Sequence, residues 1–131
     1  MLINLWIEPV NNKLAFDLPP ITFHSNQLVR VSKLYIRWGS QVGNAALALL
    51  STLIDKSSSN PSQQLLFVYQ RSNSKHLCYT PTQNEYYKIQ CLDLQSSEFI
   101  LIDKEHNHLE KIEKIFLQLE IIDERLQQFS T

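Results

Sequence analysis

The chain of 131 residues is 44% hydrophobic, which supplies enough apolar side chains for one globular domain over residues 1–131 whose core needs neither metal nor disulfides. Its net charge of −1 argues against strong nucleic-acid binding through a broad basic surface. No apolar run reaches membrane-spanning length, and the opening MLINLWIEPV lacks the basic start and the cleavage site of a signal peptide. We therefore expect no membrane contact and a protein that stays inside the cell that makes it.

A first strand is predicted over residues 1–8. Leu2 and Trp6 fall on one face of this strand, and the opposite face consists of Ile3, Leu5 and Ile7. This alternation is typical of a strand with one buried face.

Two further strands are predicted before residue 40. Residues 13–18 form a short one, which the two following prolines break. The run LVRVSKLYIRW, residues 28–38, is the clearest strand of the first half. Strict alternation along this run predicts one face of Leu34, Ile36 and Trp38 and an opposite face of Val29, Val31 and Tyr35.

Two blocks, residues 44–55 and 105–128, fit a helix as well as a strand. NAALALLSTLID is rich in helix formers, but its alternation also describes a strand that is apolar on both sides. In the later block a strand face would consist of Ile115, Leu117, Leu119 and Ile121. A helix face would consist of Leu109, Ile112, Phe116, Leu119, Ile122 and Leu126. Periodicity leaves both choices open.

The remaining apolar segments recur about every ten residues and are separated by Ser, Asn, Pro and Thr. They are residues 64–70, 77–79, 86–91 and 99–102. This spacing predicts an all-β sandwich. Cys78 and Cys91 lie in these strand-like runs, so we expect free, buried thiols rather than a disulfide framework.

The candidate metal ligands lie between residues 105 and 113. His106 and His108 followed by Glu113 have a spacing that is similar to the first motif of cupins, which are metal-binding β-sandwich enzymes. The flanking glycines and the second motif of cupins are absent, so a solvated loop is the simpler interpretation. The chain has only two glycines, too few for a glycine-rich phosphate-binding loop. We expect no catalytic residues, no metal and no cofactor.

The order of features from Asn44 onward resembles a known family. A strand ending in Leu53-Ile54-Asp55 is followed by a polar loop with Asn60-Pro61, a Tyr86-Tyr87-Lys88 strand, and FILID followed by an alternating Leu and Ile run. This order is similar to the C-terminal part of the single jelly-roll minor capsid (penton) proteins of polinton and adintovirus-like DNA viruses. The resemblance implies that both ambiguous blocks are strands of a single-domain jelly-roll β-sandwich of about eight strands.

The resemblance also implies a function. Penton-like jelly rolls are structural proteins without catalysis, and they close the five-fold vertices of icosahedral shells as homopentamers. The expected partners are other copies of the chain and other capsid proteins such as a major capsid protein, in the virion or inside the host cell. The alternatives are a ligand-binding β-sandwich, whose aromatic side chains would stack on glycans or bases, and a cupin-like metal-binding enzyme.

Charge is distributed unevenly along the chain. Residues 1–97 carry eight Lys or Arg and five Asp or Glu, a net +3, whereas residues 98–131 carry four and eight, a net −4. Solvated faces explain this distribution, but so does a contact between subunits with complementary charge. The oligomer interface would then join Arg30, Lys33, Arg37 or Arg71 to Glu110, Glu113, Glu120, Asp123 or Glu124 of the adjacent subunit.

Overall fold

A computed structural model describes residues 1–7, 17–70, 74–82, 85–103 and 111–124. Within these ranges the chain forms eight strands and one short 3-10 helix at Leu94–Ser96. The strands are β1 (Leu2–Ile7), β2 (Gln27–Val42), β3 (Ala45–Ser51), β4 (Gln64–Gln70), β5 (Ser74–Tyr79), β6 (Tyr87–Lys88), β7 (Phe99–Asp103) and β8 (Ile112–Asp123). The prediction of an all-β fold is confirmed.

The strands form two antiparallel sheets. The larger sheet has the order β1-β8-β2-β5, and β6 pairs with β2 beyond the end of β5. The smaller sheet has the order β4-β3-β7. The core consists of side chains from both sheets, so the sandwich prediction is confirmed as well.

The last ambiguous block is a strand over Ile112–Asp123. The four aliphatic side chains of its predicted strand face are at most 2% exposed: Ile115, Leu117, Leu119 and Ile121. A two-residue period matches one buried sheet face, whereas the helical spacing would have placed Phe116 and Ile122 in the core as well, and both are only partly buried.

β3 is the central strand of the smaller sheet and is buried on both sides from Ala45 to Leu49. Leu47 and Leu49 belong to the core cluster, while Ala46 and Ala48 alternate with them and so lie on the outer face. Both strands that flank β3 are hydrogen-bonded to it. Residues 45–51 of the block therefore form a strand despite their helix-forming composition, because tertiary pairing outweighs propensity. The expected strand end at Leu53-Ile54-Asp55 is wrong, since these residues follow β3 and contribute only an isolated bridge at Ile54.

The predicted faces of β2 need a correction. Strict alternation placed Val29 and Val31 opposite Leu34, but all three are at most 3% exposed and lie in the core. The register with β8 shifts between Val31 and Lys33, which makes Ser32 an extra residue in a β-bulge. The extra residue inverts the alternation, so both halves of the strand face inward.

Two other expectations differ from the structure, and a third is largely untested. The strand predicted at residues 13–18 lies mostly outside the described residues, and its last two residues are not in a strand. The segment 86–91 contains only the two-residue β6. Cys78 and Cys91 are free as expected, but Cys78 is exposed and Cys91 only partly buried, because both occupy outward or peripheral positions.

Candidate functional site

The outer side of the smaller sheet carries an unusually apolar surface, which we call the apolar face. Its members are Ala46, Ala48 and Leu50 on β3, Phe67 and Tyr69 on β4, and Ile100 and Ile102 on β7. Ile100 is 51% exposed, Phe67 44%, Tyr69 40% and Ile102 37%. Outward positions of a solvated antiparallel sheet are normally polar, so this face is typical of a contact surface.

The pairing register of the three strands brings these side chains together. Ala48 is the partner of Phe67 on one side and of Ile102 on the other. Leu50 is the partner of Ile100, and Ala46 is the partner of Tyr69. Partners in neighbouring strands have Cβ atoms about 4.5–5.5 Å apart, so the apolar side chains are contiguous across the whole sheet.

The outer side of the larger sheet carries an aromatic row across four strands. The Trp6 ring lies 4.6 Å from the Phe116 ring, and Phe116 is the register partner of Tyr35. Tyr35 in turn stacks on His76, with a hydroxyl to Nδ1 distance of 2.8 Å. Trp6 is 65% exposed, so this row presents a large aromatic surface to solvent at the β1 end.

A charged network lies beside this row on the same sheet. Arg30 donates hydrogen bonds from Nε (3.1 Å) and from a terminal nitrogen (2.9 Å) to Glu120 Oε2. The Tyr86 hydroxyl donates to Glu120 Oε1 at 2.8 Å, and the guanidinium carbon of Arg30 lies 4.8 Å from the centre of the Tyr86 ring. The network joins β2, β8 and the segment before β6.

These contacts shift two pKa values. Burial raises the pKa of Tyr86, and its hydrogen bond to Glu120 raises it further. Burial also disfavours the charged form of Glu120, but hydrogen bonds from Tyr86 and Arg30 outweigh it and hold the pKa of Glu120 below its ordinary value. Glu120 is therefore a carboxylate held by two donors rather than a proton donor or acceptor near neutral pH.

The structure places the residues of the predicted oligomer interface as follows. Arg30 forms an ion pair with Glu120 of the same chain. Arg37 Nε lies 3.5 Å from Glu113 Oε2, also within one chain. Lys33 is exposed on the same sheet. Glu110 and Arg71 lie outside the described residues. The opposite charges are thus brought together inside the protomer, and their contact with a second subunit stays a prediction.

A cavity of about 250 Å³ lies between β4 and the β5–β6 side of the larger sheet. Its wall includes Arg30, Tyr79, Glu85 and Tyr87. Burial raises the pKa of Tyr87, and Glu85 and Tyr79 add smaller contributions in the same direction. The cavity has room for several water molecules or one small polar molecule.

The candidate metal ligands His106 and His108 lie outside the described residues. Across the described ranges, no three His, Cys, Asp or Glu side chains are grouped as metal ligands.

The ranges given above also contain no helix that is long and apolar enough to cross a membrane.

Sequence reasoning missed the apolar face. A signal for it was present: both QLLFVYQ and FILI are apolar on successive positions, so each must place apolar side chains on two opposite faces. One face of each strand lies on the core, and the other forms the partly exposed apolar face.

Comparisons with protein-family models, with curated proteins and with solved structures found no match.

Proposed function

We propose that this protein is a structural subunit that assembles with copies of itself through a single jelly roll and performs no catalysis. It would serve as a penton-like minor capsid protein or a protein derived from one, most simply as a homopentamer. Other capsid proteins, such as a major capsid protein, would be its further partners. The proposal rests chiefly on the apolar face.

The strand order supports the jelly-roll part of the proposal. In an eight-stranded jelly roll, one sheet has the first strand beside the last, the last beside the third and the third beside the sixth. The other sheet has the order second, seventh, fourth, fifth. The order β1-β8-β2-β5 matches the first of these sheets, and the order β7-β3-β4 matches the seventh, fourth and fifth strands of the other sheet. The place of the second jelly-roll strand stays empty, because the described residues contain no strand between β1 and β2.

The apolar face supports the assembly part. Fully burying a side chain such as Phe or Ile stabilises a contact by about 1.5–3 kcal/mol, so four such side chains at about half exposure form a favourable contact surface. Aromatic and aliphatic side chains without charge are also typical of the central region of protein interfaces. Among the outward positions of the three described strands, Gln64, the partner of Leu50, is polar, and none is charged.

A second copy of the chain is the occupant that this proposal assigns to the apolar face. A ring needs two different surfaces on every subunit, because each subunit meets one neighbour with one patch and the other neighbour with another. The two outer faces of this sandwich differ in this way: one is apolar, and the other combines the aromatic row with charged pairs.

The test is the oligomeric state of the purified full chain. We expect native mass spectrometry and light scattering to show a closed ring, with a pentamer as the expected size. The double variant Phe67→Ser/Ile100→Ser should shift the chain to monomers, because loss of central apolar contacts costs about 2 kcal/mol or more at an interface. Its circular dichroism should match the native protein, since both side chains point outward.

Leu92→Ser is the matched control, because Leu92 is 45% exposed but lies outside the apolar face. This control should leave the ring intact. A protein that is monomeric at every concentration tried would contradict the proposal, and so would a ring that persists in the double variant.

The aromatic row favours a second candidate, a ligand-binding sandwich. Exposed rings in a row across a sheet can stack on sugar rings or on the bases of a single strand. Glycan arrays and oligonucleotide titrations at several salt concentrations test this, with Trp6→Ala as the variant. We expect no binding at physiological salt; saturable binding that is lost in Trp6→Ala would favour this candidate over the structural one.

A further inference from the structure

β1 forms one edge of the larger sheet. Among the described residues it pairs with β8 alone. The Met1 and Ile121 backbones exchange two hydrogen bonds, of 3.0 and 2.8 Å, so they form a hydrogen-bonded pair of the ladder. Such pairs alternate along an antiparallel ladder. The N–H and C=O groups of Leu2, Asn4 and Trp6 therefore point away from β8, toward the outer edge.

This edge lacks the usual protection against pairing with other strands. Exposed edge strands normally carry charged residues, proline or a bulge. LINLWI contains no charge and no proline, and its register with β8 is continuous from Leu2 to Ile7. Leu2 is 57% exposed and Trp6 65%, so two large apolar side chains flank the backbone groups that point away from β8.

The sequence of β1 is nearly self-complementary about Asn4. When two antiparallel copies are aligned with Asn4 opposite Asn4, Leu2 lies opposite Trp6 of the second copy. Ile3 then lies opposite Leu5. Outward apolar side chains meet outward ones, and inward ones meet inward ones, so both faces of the sandwich continue across the junction. The residues that pair are also those whose backbone groups point outward.

We propose that β1 is a two-fold contact site for the β1 strand of a second copy of this chain, in the register that places Asn4 opposite Asn4. About six backbone hydrogen bonds would join the two strands, two for each hydrogen-bonded pair. The junction makes one continuous sheet from the larger sheets of two protomers. Because a two-fold contact uses the same surface twice, it differs from the ring contact through the apolar face.

Cysteine cross-linking tests the register directly, in the full chain with Cys78→Ser and Cys91→Ser to remove the native thiols. Hydrogen-bonded partners in an antiparallel pair have Cα atoms about 5.5 Å apart, within the range that a disulfide spans. Asn4→Cys should therefore form a disulfide-linked dimer on mild oxidation. Leu2→Cys should not, because the two Leu2 positions lie about 14 Å apart along the paired strands. The combination Leu2→Cys/Trp6→Cys should cross-link again.

Asn4→Pro tests the same contact without a thiol. The Asn4 N–H is not part of the ladder with β8, so proline should leave the fold intact and remove two central hydrogen bonds of the contact. In sedimentation velocity the dissociation constant of the two-fold dimer should rise at least about tenfold, a typical effect of losing a central contact. Leu92→Lys, a substitution at an exposed residue outside β1, is the control and should leave the dissociation constant unchanged.

Several results would overturn this inference. They are equal cross-linking of Asn4→Cys and Leu2→Cys, no cross-link with Asn4→Cys at any concentration, and a dimer that Asn4→Pro leaves unchanged. Protection of the Leu2, Asn4 and Trp6 amides from hydrogen exchange in a dilute monomer would also overturn it, since the edge would then be covered within the chain. The Phe67→Ser/Ile100→Ser variant should still cross-link through Asn4→Cys, which separates failure of the ring from failure of this contact.

Discussion

Glu120 connects β8 to β2 and to the segment before β6. It lies on β8, accepts hydrogen bonds from Arg30 on β2 and from Tyr86, and is the register partner of Leu2 on β1. Its side chain is 25% exposed, and that of Arg30 is 21% exposed. Partial burial and two donors make this pair stronger than an ordinary surface ion pair.

We expect Glu120→Gln to lower the free energy of unfolding by about 1 kcal/mol at neutral pH, because the charged acceptor of both donors is lost. Urea denaturation measures this. Glu113→Gln is the matched control: the Arg37–Glu113 pair is 3.5 Å long and about half exposed, so its loss should change stability by less than about 0.5 kcal/mol. Equal effects of the two substitutions would contradict this ranking.

The contribution of Glu120 to the free energy of unfolding should depend on pH. Its folded pKa lies below the ordinary carboxyl value of 4.5, so the unfolded chain binds more protons than the folded one between the two values. The native protein is therefore more stable than Glu120→Gln by the full amount above the ordinary carboxyl pKa, and this difference in stability is lost as the pH falls through the pKa of folded Glu120. Urea midpoints at a series of pH values for both proteins check this; a difference that grows in acid would show the opposite sign.

At the scale of elements, the role of the bulge in setting which side chains of β2 face the core can be tested by deletion. Ser32 is the extra residue, and its hydroxyl donates to Gln118 Oε1 at 2.8 Å. Deletion of Ser32 would leave Val31 and Leu34 separated by one residue, which restores strict alternation with every core side chain still facing inward. We expect this deletion variant to fold, with a loss of stability limited to the serine contacts and the local change of twist.

Deletion of Tyr35 is the control. Tyr35 lies outside the bulge, so its loss would move Ile36 and Trp38, both at most 1% exposed, to the outer face. This variant should not give a cooperative unfolding transition by circular dichroism. If both deletions fold equally well, the bulge does not set the register of β2.

The strands themselves show what the sequence can predict and what it cannot. Alternation located β1 and gave the buried face of β8, because each has one face on the core, but it left β8 open between strand and helix. Composition and the turn residues between the segments located β4 and β7. In β2 alternation placed Val29 and Val31 wrongly, because a bulge changes the period without any distinctive residue. The strand character of residues 45–51 followed from pairing with two neighbours, which composition does not encode.

The candidate site was less accessible from the sequence than the fold. Charge asymmetry drew attention to Arg30 and Arg37, but it could not distinguish contact within a chain from contact between chains, and the structure shows pairs within the chain. The position of the apolar face depends on which side of β4 and β7 faces away from the core. That depends on tertiary arrangement, since both faces of each strand are apolar in the sequence.

At the scale of the whole molecule, the two proposed kinds of contact would give different assemblies. Contact of the apolar face with the outer face of the larger sheet of a neighbour gives a closed ring of subunits, and the β1 contact alone gives a dimer with two-fold symmetry. Together they would join rings edge to edge, which is what a closed shell or a sheet of rings requires. Electron microscopy of the native protein and of Asn4→Pro should thus show linked rings in the former and separate rings in the latter.

The ring contact has a predictable salt dependence. Because the apolar face carries no charge, its association should persist when the salt concentration is raised from about 0.05 M to 1 M, where the Debye length falls to about 3 Å. Lys33→Glu should slow assembly at low salt by changing the charge of the outer face of the larger sheet, with little effect on the final stoichiometry. Light scattering across this series measures both quantities. A ring that dissociates at high salt would instead show that ion pairs between subunits, formed by Arg30, Lys33, Arg37, Glu110 and Glu113, supply most of its affinity.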